Sequence, residues 1–347
     1  MYIYLIILLV LIFLHLFFYK YKNIELEKII WLFVILLLTF FIGFRNGIGG
    51  DWIHYETYYY TSQKHTFYEM LITNPVYNYI NKIAYHLGIQ LFGVNFICAL
   101  IFMLSLSMFL NQSPNKWLAL TISFPIIILI LAMGFTRQGL AFSFLLFLIK
   151  SLEEKKLFQS FIFIILSILS HKSALFISTL LIFIFLWYHK KFFYIFISIL
   201  IPIFFAFFFL GTYKHYIYYY VGSGQHMFSY GSVPRSILIL FFGILFLIYK
   251  KKFNNNMTEY QIFVYTSFSW IVIFLFPFSI ITSIVADRLL FYLYPLKLAF
   301  VSFANLKDKS LKFVIFLTIS AYVFYLVLWL AFGINAKQWV PYKFIGF

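Results

Sequence analysis

The sequence predicts an all-α integral membrane protein with about twelve transmembrane helices and both termini external, and three observations carry that expectation. Hydrophobic residues make up 64% of the chain against 10% charged, with mean hydropathy +0.96, far more apolar than a soluble globule allows. Apolar runs long enough to cross a bilayer recur from end to end, and lipid cannot satisfy an open sheet edge, so they must be helices. Every second break between the runs carries lysine.

The first run, 2–19, has no basic residue before it and Lys20 and Lys22 after it. That is the reverse of a signal peptide's charge order, so it reads as a retained span. Charged and turn-forming breaks then bound spans near 28–44, 91–110, 117–133, 137–149, 157–170, 173–188, 192–211, 235–249, 261–282, 288–304 and 312–332. With an external N-terminus, the internal breaks carry Lys20, Lys22 and Lys28, then Lys116, then Lys150, Lys155 and Lys156. Lys190 and Lys191, then Lys250 to Lys252, then Lys307, Lys309 and Lys312 follow. The positive-inside rule therefore sets N-out and C-out within one polytopic domain, 1–347. Segments 45–90 and 212–234 become the long external loops.

The net charge of +16 is scattered through short breaks, so it reads as topology and not as nucleic-acid binding. The lone cysteine, Cys98, excludes an intrachain disulfide and a cysteine-based metal site. All four arginines, Arg45, Arg137, Arg235 and Arg288, fall on the external side. A forked, permanently charged side chain suits an anion. A span over 137–149 would measure only ~20 Å against a ~30 Å hydrocarbon core. Arg137 is therefore expected below the outer interface, and the equally brief 157–170 puts His171 at a similar depth. Charges so placed line a wet cavity or have partners.

Three external segments carry candidate chemistry. Arg45 opens a glycine-rich turn that ends in Asp51, Trp52, Tyr55 and Glu56; backbone N–H groups in such a turn can approach an anion, although a helix-capping turn reads the same way. Arg137 and Gln138 precede Gly139, and the next external turn holds His171 and Lys172, where the histidine suits a proton acceptor or phosphate donor. Arg288 follows Asp287, which is equally readable as its neutralising partner, and Arg235 follows Pro234 at a helix start, where capping is the expectation. Tyrosines crowd 52–68 and 213–230, Tyr219 among them, and such rings suit sugar faces or the headgroup belt.

Together these segments resemble the EpsG-like branch of the Wzy polysaccharide polymerases. The matching residues are Phe44-Arg45 with Gly47, Gly49, Asp51 and Tyr55; Thr136 to Ala141 with Lys155, Lys156 and His171; Asp287-Arg288 to Tyr292; and Trp339 to Tyr342. Trp52 stands where the pattern expects tyrosine. The resemblance implies a GT-C-like polymerase of the bacterial inner membrane with its active site facing the periplasm. It would join undecaprenyl-diphosphate-linked repeat units into O-antigen, capsule or exopolysaccharide, as an inverting glycosyltransferase without metal or cofactor. Arg45, Arg137, Arg288, Gln138 and Lys172 are then expected at diphosphate, His171 or Asp51 as base, and Trp52, Tyr55, Glu56 and Tyr219 at sugar. Membrane lipid and a chain-length regulator are the implied partners. The alternatives are a lipid-linked oligosaccharide flippase, which Lys297 half way along its span favours, and a glycan ligase or acyltransferase.

Overall fold

The computed structural model describes residues 1–191 and 231–345. The expected spans 192–211 and loop 212–234, apart from its last residues, lie outside them. Among the described residues there is no strand, and an isolated bridge pairs Arg45 with Phe344. The chain divides into two compact units, one of Met1–Ser143 with Val301–Phe347 and one of Phe144–Phe300.

The first unit begins with two long helices, α1 (Tyr2–Lys20) and α2 (Ile24–Gly43). Asn23 caps α2 by accepting from the Leu26 amide, and Glu25 and Glu27 suit the positive end of its dipole. Glu27 also takes Lys116 at 3.0 Å and the Trp117 indole N–H at 3.1 Å. Leu9, Phe13 and Phe33 are exposed on these helices; lipid is as apolar as they are, so no polar face is needed.

Segment 45–90, expected as a loop, forms three further helices: α3 (Trp52–Ser62), α4 (Phe67–Ile72) and α5 (Pro75–His86). Thr66 and Glu69 close a reciprocal capping box on α4, and Pro75 starts α5 where a missing N–H costs nothing. α5 buries Tyr77, Ile80, Asn81 and Ala84 and packs on α6 (Gln90–Leu110).

After α7 (Lys116–Ser123) the chain continues as a fully buried π-helical stretch, Phe124–Ala132. Pro125 lacks an N–H and crowds the carbonyl one turn back, a conflict that a wider ladder relieves. α8 (Thr136–Glu153) is 18 residues long, about 27 Å at ~1.5 Å per residue, and so longer than the span expected over 137–149. It runs past Lys150 because Ser151 is satisfied inside, through Leu148 O and the Ser160 hydroxyl. Helix length therefore gives no reason to recess Arg137.

The second unit continues with α9 (Leu157–Ser170), α10 (Ala174–Tyr188) and α11 (Ser232–Tyr249). The expected span 261–282 stops early, as α12 (Glu259–Leu275), because Pro277 follows and starts the short α13 (Phe278–Ile281). The span expected over 288–304 is two helices, α14 (Ser283–Phe291) and α15 (Pro295–Phe303), broken before Pro295. Arg288 thus lies within α14 and not at a span's start.

The chain returns to the first unit with α16 (Lys309–Phe332), capped by Asp308. Among the described residues five helices are long and apolar enough to cross a membrane: α1, α2, α6, α11 with its extension to Phe253, and α16. Several shorter apolar helices accompany them, as expected of a multi-pass membrane protein.

Candidate functional site

In the first unit the conformation of the glycine-rich turn brings three distant segments together. Gly49 has φ +116, and a Cβ there would sit 2.7 Å from the Met133 carbonyl oxygen; only glycine lets this backbone lie so close to the turn before α8. A Cβ on Gly134 would meet the Trp339 ring at 2.8 Å. Trp339 itself donates to Leu129 O at 3.0 Å, and Gly49 N donates to Gln338 O at 3.0 Å.

Arg45 locks this junction. It is fully buried and donates to Ile48 O at 3.2 Å, Ile42 O at 2.5 Å, Asn95 Oδ1 at 3.2 Å and Thr136 Oγ1 at 2.9 Å. Trp52 lies over its guanidinium, 5.9 Å from ring centre to Cζ. The donors expected at diphosphate are therefore spent within the protein.

Arg137 is placed differently. Its guanidinium lies 5.4 Å from the ring centres of both Tyr55 and Tyr58, and its Nε is buried without a hydrogen-bond partner. Burial holds the Tyr55 phenol above its ordinary value; Arg137 opposes the rise and Asp51 adds to it, so all three groups share one electrostatic neighbourhood. Tyr77, 5.7 Å from Tyr55 ring to ring, has a buried hydroxyl with no partner, as do Asn81 Oδ1 and Asn95 Nδ2. Buried polar groups are rarely left so, and Tyr77 lies within electrostatic reach of Arg137. Asp51 begins α3 without capping it, Gln138 is buried, and Glu56 is exposed.

The second unit holds the other set. His171 ends α9 and its Nδ1 lies 2.6 Å from Ser173 Oγ, which is 3.1 Å from the Tyr292 hydroxyl. Desolvation pushes the neighbouring Lys172 down to about 8, and Arg288 lies within electrostatic reach of Tyr292. Asp287 does not serve Arg288 as its neutralising partner. Both its oxygens accept from Arg235, at 3.0 and 2.5 Å. Arg235 sits within the first turn of α11 and is buried, so its role is this fork-to-fork pair and not a cap. Lys297 is fully buried, 4.5 Å from the centre of the Tyr294 ring.

Sequence reasoning missed Asn81, Asn95 and Tyr77. A polar side chain inside an apolar run, as Asn95 is, was the available signal. Tyr219 lies outside the described residues. Among the described residues no three histidine, cysteine, aspartate or glutamate side chains gather as a metal site needs.

No curated protein matches the chain, and no solved structure does. A protein-family model described as the EpsG family matches residues 28–344. The match takes in the Arg45 junction, the Arg137 cluster and the whole of the second unit, so this chain belongs to the EpsG family.

Proposed function

We propose that the protein polymerises oligosaccharide repeat units carried on undecaprenyl diphosphate, at the periplasmic side of a bacterial inner membrane. Family membership points to a polysaccharide-polymerase-like glycosyltransferase acting on lipid-linked saccharides, and the finer roles follow from the residues. A hydroxyl of one unit attacks the anomeric carbon of another. The bond to diphosphate breaks and its electron pair leaves with the phosphate, while the hydroxyl proton goes to a base. One displacement inverts the anomeric centre and needs no protein nucleophile. Cationic side chains that neutralise the leaving diphosphate fill the place a metal ion takes elsewhere.

The observation that supports this reading most is the Arg137 cluster. A guanidinium with an unpartnered buried Nε, within electrostatic reach of Tyr77, whose buried hydroxyl is also unmet, suits a ligand that carries both an anion and hydroxyls. In this reading Arg137 and Gln138 bind diphosphate, as do Arg288 and Lys172. Arg45 keeps the glycine-rich turn in place. Asp51 or His171 is the base, and Trp52, Tyr55, Glu56 and Tyr219 face sugar. About twelve spans with both ends periplasmic accommodate the lipid carriers. The product is an O-antigen, capsule or exopolysaccharide whose length a partner protein sets.

Purified protein reconstituted with a single lipid-linked repeat unit tests the reading. A ladder of products is expected. A single addition would make it a ligase, and movement across the bilayer without a new bond would make it a flippase; either result overturns the proposal.

A further inference from the structure

We propose that a groove in the first unit, between the start of α1, the end of α2 and segment 341–344, seats one anionic phospholipid of the bilayer and that this lipid steadies the segment. The groove has a volume of about 1000 Å³, at the upper end for small-molecule sites. Ile3, Leu37 and Phe40 line it and are exposed, and they belong to two helices long and apolar enough to cross a membrane. Phe40 and Leu37 lie before Gly43, where α2 ends, by ~5 and ~9 Å along the axis at ~1.5 Å per residue. Asn46 and Lys343 also line the groove, just past that helix end. Asn46 N donates to Lys343 O at 2.9 Å, so the two residues stand side by side. Polar groups at the helix end with an apolar trough beneath them have the layout of a lipid, headgroup above and hydrocarbon below.

Charge decides the occupant. Lys343 is exposed and forms no ion pair among the described residues, and Asn46 adds carboxamide N–H donors beside it. Lys20, Lys22 and Lys28 lie at the opposite end of α2, where the positive-inside rule accounts for them. It does not account for Lys343. A single exposed cation balances the one negative charge of a phosphodiester, whereas a lipid diphosphate brings more charge and the groove is lined by no arginine. The groove is also continuous with the contacts that hold segment 341–344. Tyr342, which lines it, donates to Phe41 O at 2.7 Å and stacks on the Phe41 ring at 4.6 Å. Ile345 N donates to Phe44 O at 2.9 Å, and Phe344 pairs with Arg45. A lipid lying along Leu37 and Phe40 keeps water from these bonds and so steadies the turn that holds Arg45. The site needs no saccharide, and it stands whether or not the protein polymerises one.

Native mass spectrometry of the full-length protein, released from nanodiscs of mixed phosphatidylcholine and phosphatidylglycerol, reads which lipid stays bound. Phosphatidylglycerol is expected in excess. K343Q should cut that preference about fivefold, the weight of one basic residue beside an anionic membrane surface, and K343R should keep it. Phosphatidylglycerol with a photoactivatable group on its acyl chain should label residues within 37–40 or 341–344. Adding phosphatidylglycerol to phosphatidylcholine nanodiscs should raise the melting temperature of the unaltered protein more than that of K343Q. Equal retention of the two phospholipids, an unchanged preference in K343Q, equal thermal shifts, or labelling elsewhere overturns the proposal. Undecaprenyl diphosphate that displaces the label at equal concentration overturns it too, and would make the groove a carrier site. If the unaltered protein makes no ladder of products, the polymerase reading fails while every lipid measurement still stands.

Discussion

Arg45 donates to Thr136 across 91 positions of sequence, at 2.9 Å and without contact with water. This bond ties the turn after α2 to the first residue of α8, so the residue that follows it, Arg137, inherits its placement from Arg45. T136V removes the acceptor but keeps the shape, and should cost about 1.5 to 3 kcal/mol, the usual worth of a hydrogen bond to a charged group. Denaturant or thermal unfolding in detergent measures it. R45K should not rescue R45A, because an ammonium cannot reach acceptors spread over Ile42, Ile48, Asn95 and Thr136.

R137A should abolish long chains while the protein still inserts and unfolds within a few degrees of the unaltered form. A lysine at 137 should recover little, since it cannot lie flat between Tyr55 and Tyr58 and still make a two-point contact. Normal chain lengths on a gel of R137A products would remove Arg137 from the site.

D287A strands a buried guanidinium and should destabilise the second unit by about 3 to 5 kcal/mol. Replacing both partners with apolar residues of similar volume, as in R235M with D287L, should recover most of that loss. A double-mutant cycle on unfolding separates the pair from its desolvation.

Glu153 gives a pH signature. Burial raises its carboxyl from 4.5 to about 7, with the Gln261 amide at 3.2 Å opposing the rise. The folded state therefore favours the neutral acid. Below about pH 4.5 the group costs nothing. As pH rises towards 7 the unfolded chain ionises first, so stability falls, and above 7 the full cost of about 3 kcal/mol applies. E153Q should raise the melting temperature at pH 8 and leave it unchanged near pH 4.5. The same change at both values would contradict the assignment.

Lys172 predicts a pH trend in binding instead of stability. Its charge is present below about 8 and lost above, so affinity for an isoprenyl diphosphate should fall between pH 7 and 9. K172R, which does not titrate there, should flatten the trend in calorimetry.

How much of this was legible in the sequence differs from segment to segment. α1, α2, α6 and α16 announce themselves by length and apolarity, and their ends lie within a few residues of expectation. α8 does not, because a charged Lys150 reads as an interface when its neighbours Ser151 and Leu152 are in fact buried. The three helices in 45–90 were hidden by polar composition, although Thr66 with Glu69 and the Asn74-Pro75 step are local start signals. Arg45 and Arg137 look alike as residues after an apolar run. Only the tertiary acceptors, Asn95 and Thr136 above all, separate a filled guanidinium from one with an unmet Nε. The Asp287 pairing was misplaced for the same reason: adjacency favours Arg288, but a helix turns successive side chains apart, and Arg235 comes from another helix.

The last residues of the chain tie back to the first helices: Tyr342 donates to Phe41 O at 2.7 Å, 301 positions earlier, and Tyr4 donates to Trp339 O. During synthesis, therefore, α1 and α2 enter the membrane long before their clasp exists. The glycine-rich turn stays unpinned until Gln338 and Trp339 have been made, so a nascent chain that stops short of them carries Arg137 without its final setting.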